Sequence, residues 1–234
     1  MVKKELIERS PLRLLEKSIH GGLGAGNIGV IAARKGTGKT ACLVHIATDQ
    51  LFQDKHVIHV SFSGRTDHII SWYEDIFGEI AKKRSLENAM EIHDGLIKNR
   101  VILNFNQHGV TREQLLRSIG ALIDDGHFKA DVIVVDGYDF EKGEVETLKV
   151  LREFAAQHNL AVWFSASTRR EEPRVDDRGV PAVLREFIDE IAVLIALSPE
   201  DDHLKLRLVK DHDTYRTEDL HLELDSRTLL IRER

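Results

Sequence analysis

Short apolar runs alternate with longer amphipathic stretches through most of the chain. The apolar runs have the length and composition of buried strands, and they predict parallel strands over residues 28–33, 57–62, 101–105, 131–136 and 160–165. The amphipathic stretches have helical spacing, and they predict helices over residues 39–52, 66–99 (two helices), 111–125 and 143–158. Strands that alternate with helices predict an α/β fold, in which a mostly parallel sheet is flanked by helices.

The two ends of the chain depart from this pattern. In the N-terminal segment, residues 1–20, Ser10 and Pro11 mark the start of an entry helix. Near the other end, leucines alternate with mostly polar residues over positions 204–209 and 220–224, which is typical of strands with one solvated face. We therefore expect a C-terminal antiparallel hairpin, added to a single α/β domain that spans residues 21–234.

Composition narrows the class of protein. The chain has 234 residues, of which 42% are hydrophobic, enough for the core of one α/β domain. The formal net charge of -6 gives no overall attraction to nucleic acid or to an anionic membrane. Cys42 is the single cysteine, which rules out an internal disulfide and indicates an intracellular protein. No apolar run is long enough for a membrane span and no signal-peptide core is present, so we expect a cytoplasmic protein.

The strongest chemical signal is a candidate phosphate-binding loop after the first predicted strand. The usual pattern is Gly, four free positions and Gly-Lys-Ser/Thr, and this chain has Ala33 in place of the first Gly. Glycines let successive backbone N–H groups point at phosphate, and the following helix adds its positive end. The predicted nucleotide-binding residues are Ala33, Arg34, Lys35, Gly36, Thr37, Gly38, Lys39, Thr40 and Ala41. The alternative is a glycine turn that binds nothing.

Two side chains of this loop have specific predicted roles, and a third residue joins them from elsewhere. Lys39 would bring a positive charge to the β- and γ-phosphates of ATP, and Thr40 a hydroxyl to Mg²⁺. Asp136 ends the apolar strand at 131–136, where a carboxylate can make the second Mg²⁺ contact. In the alternative interpretation, Asp136 caps the turn formed by Gly137, Tyr138 and Asp139.

Several segments together resemble a known family. Four segments are similar to those of RecA-like ATPases of the RadA, KaiC and DnaB-helicase type. They are the stretch Gly-Gly-Leu-Gly-Ala-Gly-Asn-Ile-Gly-Val-Ile at 21–31, the strand at 131–136, the helix around 148–155 and the strand at 161–165. The resemblance extends over most of the chain. It implies a RecA-like core with ATP bound at subunit interfaces of homo-oligomers, as hexameric rings or filaments.

The chain departs from that family where hydrolysis is catalysed. Members usually carry a glutamate after the second strand that activates the attacking water, and here Ser63 and Gly64 stand at those positions. A serine hydroxyl is a far weaker base, and Asp67 is the nearest substitute. The family's phosphate-sensing glutamine is also missing, although Ser165 or Ser167 could bind phosphate. These departures predict slow or partner-dependent hydrolysis.

The resemblance implies one more pair of residues. Family members reach a neighbour's nucleotide with a Lys-x-Arg pair on a late strand, which acts like an arginine finger. Here Lys210 keeps the lysine, His212 replaces the arginine, and Arg216 is the next candidate for that role. The alternative is that Lys210 and Arg216 are solvated hairpin residues. We count Lys39, Asp136, Lys210 and Arg216 as the candidate catalytic residues.

Two functions remain open on the sequence alone. The first is an ATPase motor on DNA, of the helicase or recombination type. The second is a nucleotide-dependent switch or scaffold in which ATP binding controls assembly. The loop at 168–178, which faces DNA in some RecA-like rings, carries arginines and acids in equal number and no aromatic residue for stacking. This loop and the missing glutamate favour the switch.

Overall fold

The helices and strands follow one another along the chain largely as the hydrophobic pattern predicts. A computed structural model describes residues 2–62, 65–105, 110–169, 175–200 and 203–234, with the backbone alone at Val2. The helices are α1 (Val2–Glu8), α2 (Leu12–Ser18), α3 (Lys39–Phe52), α4 (Thr66–Arg84), α5 (Ala89–Lys98), α6 (Arg112–Gly120) and α7 (Val145–Gln157). The strands are β1 (Ile28–Arg34), β2 (Val57–Ser61), β3 (Arg100–Asn104), β4 (Val132–Asp136), β5 (Ala161–Thr168), β6 (Val193–Glu200), β7 (His203–Asp211), β8 (Thr214–Asp225) and β9 (Ile231–Glu233).

These strands form one sheet in the order β3-β2-β4-β5-β1-β6-β7-β8-β9. Every pairing from β3 to β6 is parallel, and every pairing from β6 to β9 is antiparallel. The prediction of a mostly parallel α/β sheet flanked by helices, with a C-terminal antiparallel hairpin, is therefore confirmed. The first five helices share a core with one face of the sheet, while α6 and α7 cover the other.

Successive residues of the central strands alternate between these two cores. On β5, Trp163 packs in the core that contains α3, and its neighbour Phe164 packs in the core on the opposite face. Gly29 of β1 leaves room for Trp163, since a Cβ there would lie 2.6 Å from the indole ring. The sheet is thus buried on both faces, as the uninterrupted apolar runs predict.

The structure differs from the predicted elements in several places, and helix α1 at the N-terminal end was not predicted. β5 continues to Thr168, because β1 pairs with it along its full length up to Arg34. The predicted helix at 111–125 is α6 followed by a π-helical turn, Ala121–Asp125. The strand β6 and the 3-10 helix before it, Ala182–Phe187, were not predicted, although β6 begins with a clear apolar run.

The topology brings the carboxyl ends of β1, β5 and β4 to one edge of the sheet. β5 lies between the other two strands. In open α/β sheets, ligands bind outside the carboxyl ends of the strands. The candidate residues of the phosphate loop and Asp136 therefore lie on the same edge, even though they are about a hundred positions apart in the sequence.

Candidate phosphate-binding site

The loop between β1 and α3 is a tight turn made by glycines. Gly36 and Gly38 have φ values of 78° and 87°, in the left-handed region that favours glycine. Thr37 closes the turn, since its hydroxyl donates a 2.7 Å hydrogen bond to the carbonyl of Arg34. Helix α3 starts directly afterwards, at Lys39, and the first N–H groups of a helix have no partner within it. A tight glycine turn followed by the first N–H groups of a helix is the arrangement that binds anions in other proteins.

The substitution of alanine for the first glycine of the pattern is accommodated within the strand. Ala33 is a buried residue of β1 and pairs with Ser167 of β5. It keeps extended backbone geometry, which an alanine adopts without strain. The turn begins only after Arg34, so the loop does not need a glycine at position 33.

Lys39 folds back over the loop that precedes it. Its ammonium donates to the carbonyl oxygens of Ala33, at 3.1 Å, and Arg34, at 2.8 Å. The side chain is buried, and this burial lowers the pKa of Lys39 to about 8, against the opposing effect of the nearby Asp136 carboxylate. A positive charge is thus held at the start of α3, next to the free N–H groups.

Thr40 and Asp136 are in direct contact. The Thr40 hydroxyl donates a 2.9 Å hydrogen bond to Oδ2 of Asp136. Ser165 of β5 donates to the other carboxylate oxygen at 2.6 Å, and it accepts a 3.0 Å bond from the N–H of Gly137. The Gly137 N–H is therefore satisfied by Ser165, and the two described bonds to the Asp136 carboxylate come from hydroxyls. From the sequence, Ser165 was predicted only as a phosphate contact, and its bond to Asp136 was not predicted.

A buried pair of residues near this site, His59 and Tyr73, was not predicted from the sequence. His59 is on β2, two residues before Ser61, which is in register with Asp136. Its Nδ1 lies 3.0 Å from the hydroxyl of Tyr73, and its buried Nε2 has no hydrogen-bond partner among the residues that the structure describes. Burial lowers the pKa of His59 and raises that of Tyr73, so both groups are uncharged at neutral pH.

The C-terminal hairpin packs against the loop from the side. A Cβ on Gly38 would lie 2.5 Å from Cδ2 of Leu224 on β8 and 3.6 Å from Cδ1 of Leu204 on β7. The left-handed φ and this close approach both require glycine at position 38. The need for a glycine in the turn could be predicted from the sequence, whereas the packing of Leu224 and Leu204 against position 38 could not.

The structure places Lys210 and Arg216 apart from the phosphate loop. Lys210 of β7 pairs with Leu194 near the start of β6. This is the amino end of the parallel strands, whereas the phosphate loop lies at their carboxyl ends. Its buried ammonium donates to the carbonyls of Ile188 and Ile191, both at 2.6 Å, so it is not a solvated residue. Arg216 is exposed and paired with Glu218 at 2.7 Å, which fits the solvated alternative.

The positions at which an acidic residue is expected to assist hydrolysis are only partly described by the structure. Ser63 and Gly64 lie outside the described residues. Asp67 lies in the first turn of α4, fully exposed, and its carboxylate is bound by Arg65 at 2.5 Å. This hydrogen bond lowers the pKa of Asp67 and makes the carboxylate a weaker base.

The described part of the loop at 168–178 carries paired charges. Arg169 donates to both carboxylate oxygens of Glu141, at 2.6 and 2.8 Å. Arg178 binds the carboxylate of Asp176 at 2.8 Å and lies over the ring of Tyr215. Residues 170–174, including the other two arginines of the predicted loop, lie outside the described residues.

Comparison with known proteins adds no family assignment: the sequence matches no protein-family profile and no curated protein. Within the described residues, no helix is long and apolar enough to cross a membrane. In the same part of the chain, no three His, Cys, Asp or Glu side chains gather into a metal-binding group.

Proposed function

We propose that this protein is a RecA-like P-loop protein that binds ATP with Mg²⁺ and acts as a nucleotide-dependent switch or scaffold, with slow or partner-dependent hydrolysis. The observation that carries the proposal is the contact between the Thr40 hydroxyl and the Asp136 carboxylate, beside the buried ammonium of Lys39. A glycine turn without a ligand would not require these three groups to meet.

The loop provides the interactions that a triphosphate needs. Backbone N–H groups of the loop and of the first turn of α3 would donate to the phosphates, and the helix dipole favours negative charge there. The Lys39 ammonium, now held by two loop carbonyls, is within reach of a phosphate seated on the same loop. Exchanging carbonyl partners for phosphate oxygens replaces neutral acceptors with charged ones, which strengthens the hydrogen bonds.

Mg²⁺ fits the oxygen atoms at this site. A hydroxyl and a carboxylate are ligands that Mg²⁺ prefers, and the ion usually takes one or two protein ligands together with phosphates and waters. Thr40 and Asp136 would hold the ion, and Ser165 would orient the carboxylate. When bound, Mg²⁺ neutralises negative charge on the phosphates.

The arrangement favours binding over rapid turnover. In-line attack on the γ-phosphate needs a group that orients or deprotonates the water. Position 63 is a serine, and the exposed Asp67 is bound to Arg65, so neither is a strong general base. The net charge of -6 disfavours DNA binding, and the two arginines that the structure describes in the loop at 168–178, Arg169 and Arg178, are paired with acids.

Self-association and an intracellular location complete the proposal. The resemblance to RadA, KaiC and DnaB-type proteins supports hexamers or filaments in which ATP lies between subunits. The strand order supports the RecA-like core, since β5 with Ser165 separates the loop strand from the Asp136 strand. A protein that responds to ATP would act in the cytoplasm, where the nucleotide is abundant.

The switch and the DNA motor can be distinguished by measuring ATP turnover in the presence and absence of single-stranded DNA, together with ATP binding and oligomeric state. We expect saturable binding with very slow hydrolysis that DNA does not accelerate, and a change of assembly when ATP is added. Turnover that rises steeply with DNA would instead identify a nucleic-acid motor. The exposed substitution Lys149→Ala on α7 serves as a control in all of these measurements.

A further inference from the structure

A second cleft lies at the amino ends of the parallel strands, whereas the phosphate loop lies at their carboxyl ends. It has a volume of about 290 Å³ and is enclosed by α2, the loop at 21–25 and the second half of α3. Its apolar wall is formed by Leu12, Leu15, Ile19, Leu23, Ile46 and Trp163. None of these residues belongs to the candidate nucleotide site, so the cleft is a separate feature of the molecule.

One side of the cleft is bare backbone, and another is a fixed aromatic ring. Gly21, Gly22 and Gly24 all have left-handed φ values, between 74° and 114°, and they form one wall without side chains. Trp163 is held by its close packing on Gly29, where even one added carbon would overlap the indole. The glycine segment has no role in the phosphate loop, which starts ten residues later.

The mouth of the cleft is polar, and each of its charged side chains has a partner. Glu16 is paired with Arg13 at 2.6 Å, and Lys55 donates a 2.7 Å hydrogen bond to Oε1 of Gln50. Asp131 accepts a 2.8 Å bond from the backbone N–H of His56. Partial burial raises the pKa of Glu16. An entering ligand would thus meet hydrogen-bonding groups without a strong field of either sign.

We propose that this cleft binds an uncharged bicyclic aromatic or heteroaromatic small molecule. The volume supports two fused rings, because it is about twice that of an apolar cavity of roughly 150 Å³ that takes up benzene. The apolar wall and the Trp163 ring would contact the faces and edges of the rings. The polar mouth would bind one heteroatom, an arrangement typical of small-molecule sites.

The test is an NMR titration of the full chain with indole, without nucleotide, so that its result does not depend on ATP binding. We expect saturable shifts of the Trp163 side-chain N–H and the Ile46 methyl groups, with a dissociation constant of about 1 mM or lower. The variant Trp72→Phe assigns the Trp163 signal, since the chain has two tryptophans.

Filling the cleft provides the matched comparison. Ile46→Phe and Leu15→Phe should each weaken indole binding at least about tenfold, while Ile97→Phe on the exposed side of α5 should leave it unchanged. The proposal is overturned if indole, quinoline and benzimidazole all fail to saturate the Trp163 shift. It is also overturned if the shifts lie elsewhere, or if they appear on raising the protein concentration alone, which would identify a contact between copies of the chain.

Discussion

Thr40 and Asp136 are 96 positions apart in the chain, and their side chains form a 2.9 Å hydrogen bond at the carboxyl edge of the sheet. The contact depends on β5, which lies between the strands that carry the loop and the aspartate. Ser165 of β5 holds the second carboxylate oxygen. The geometry therefore assigns a positioning role to Ser165 within the proposed Mg²⁺ site.

Ser165→Ala tests that role. Loss of a hydrogen bond that orients a metal ligand typically lowers metal affinity about 10- to 100-fold, and we expect a decrease of that size in the affinity for Mg·ATP. The affinity for ATP without Mg²⁺ should change much less. Isothermal titration calorimetry measures both. Ser118→Ala on α6, whose hydroxyl bonds only its own helix, is the control. Equal Mg·ATP affinity in wild type and Ser165→Ala would contradict the assignment.

Ser63→Glu tests whether a missing base limits hydrolysis. Strand β2 ends beside Asp136, because Ser61 and Asp136 are in register and the N–H of Phe62 donates a 2.9 Å hydrogen bond to the Asp136 carbonyl. A general base contributes on the order of 10²- to 10⁴-fold to a reaction rate, and we expect ATP turnover to rise by at least about tenfold. Ser71→Glu, on exposed α4, should have no effect. An unchanged rate in Ser63→Glu would show that the missing base is not the limiting feature.

Lys210→Met separates a structural role from a role in a neighbour's active site. The substitution removes the ammonium from the buried carbonyls of Ile188 and Ile191, of which the first keeps a 3.3 Å bond from the N–H of Ile191, so the free energy of unfolding should fall by about 1–3 kcal/mol. Arg216→Ala, at an exposed ion pair, should lower it by less than about 1 kcal/mol. Urea unfolding checks both values. Unchanged stability in Lys210→Met, combined with lost turnover, would favour the finger role.

His45 should make the fold sensitive to acid. Its Nδ1 accepts a 2.9 Å hydrogen bond from the N–H of Ile231, and burial, together with nearby Lys83, lowers its pKa to about 4. The unfolded chain takes up this proton near pH 6.5, so stability is complete above that pH and is lost as the pH falls toward 4. We expect the free energy of unfolding to be about 2 kcal/mol lower at pH 5 than at pH 7.5 because of His45.

His45→Gln provides the comparison, because glutamine does not titrate and its carbonyl can accept a hydrogen bond. The variant should have a shallower dependence of stability on pH than the wild type. Part of the slope should remain, since the pKa of His59 is also lowered by burial. Identical slopes in the two proteins, measured by urea unfolding, would show that His45 does not contribute.

The central elements could be predicted because their signals are local. The helix α3 runs from Lys39 to Phe52, as the pattern predicts, since the glycines and the apolar spacing mark both its ends. The strand β4 ends at Asp136 for a similar reason, because an uninterrupted apolar run stops there. β6 has such a run too, but it was not predicted, because no regular helix of the kind found before the other parallel strands precedes it among the described residues.

The supporting contacts could not be predicted because they depend on strand order. Ser165 meets Asp136 only because β5 lies beside β4, and the packing of Leu224 on Gly38 requires the hairpin to fold over the loop. Lys210 shows the same limitation. Its position near a late hairpin left a finger role and a solvated position both open, whereas the carbonyls of Ile188 and Ile191 bind it internally.

The most direct test of the proposed function is calorimetric titration of Mg·ATP into the wild-type chain and into Lys39→Ala, with circular dichroism to verify that the variant is folded. We predict one saturable site per chain in the wild type, weaker binding when Mg²⁺ is removed, and no detectable binding in Lys39→Ala. Absence of binding to the wild type, or equal affinity in Lys39→Ala, would contradict the assignment of this loop as a nucleotide site.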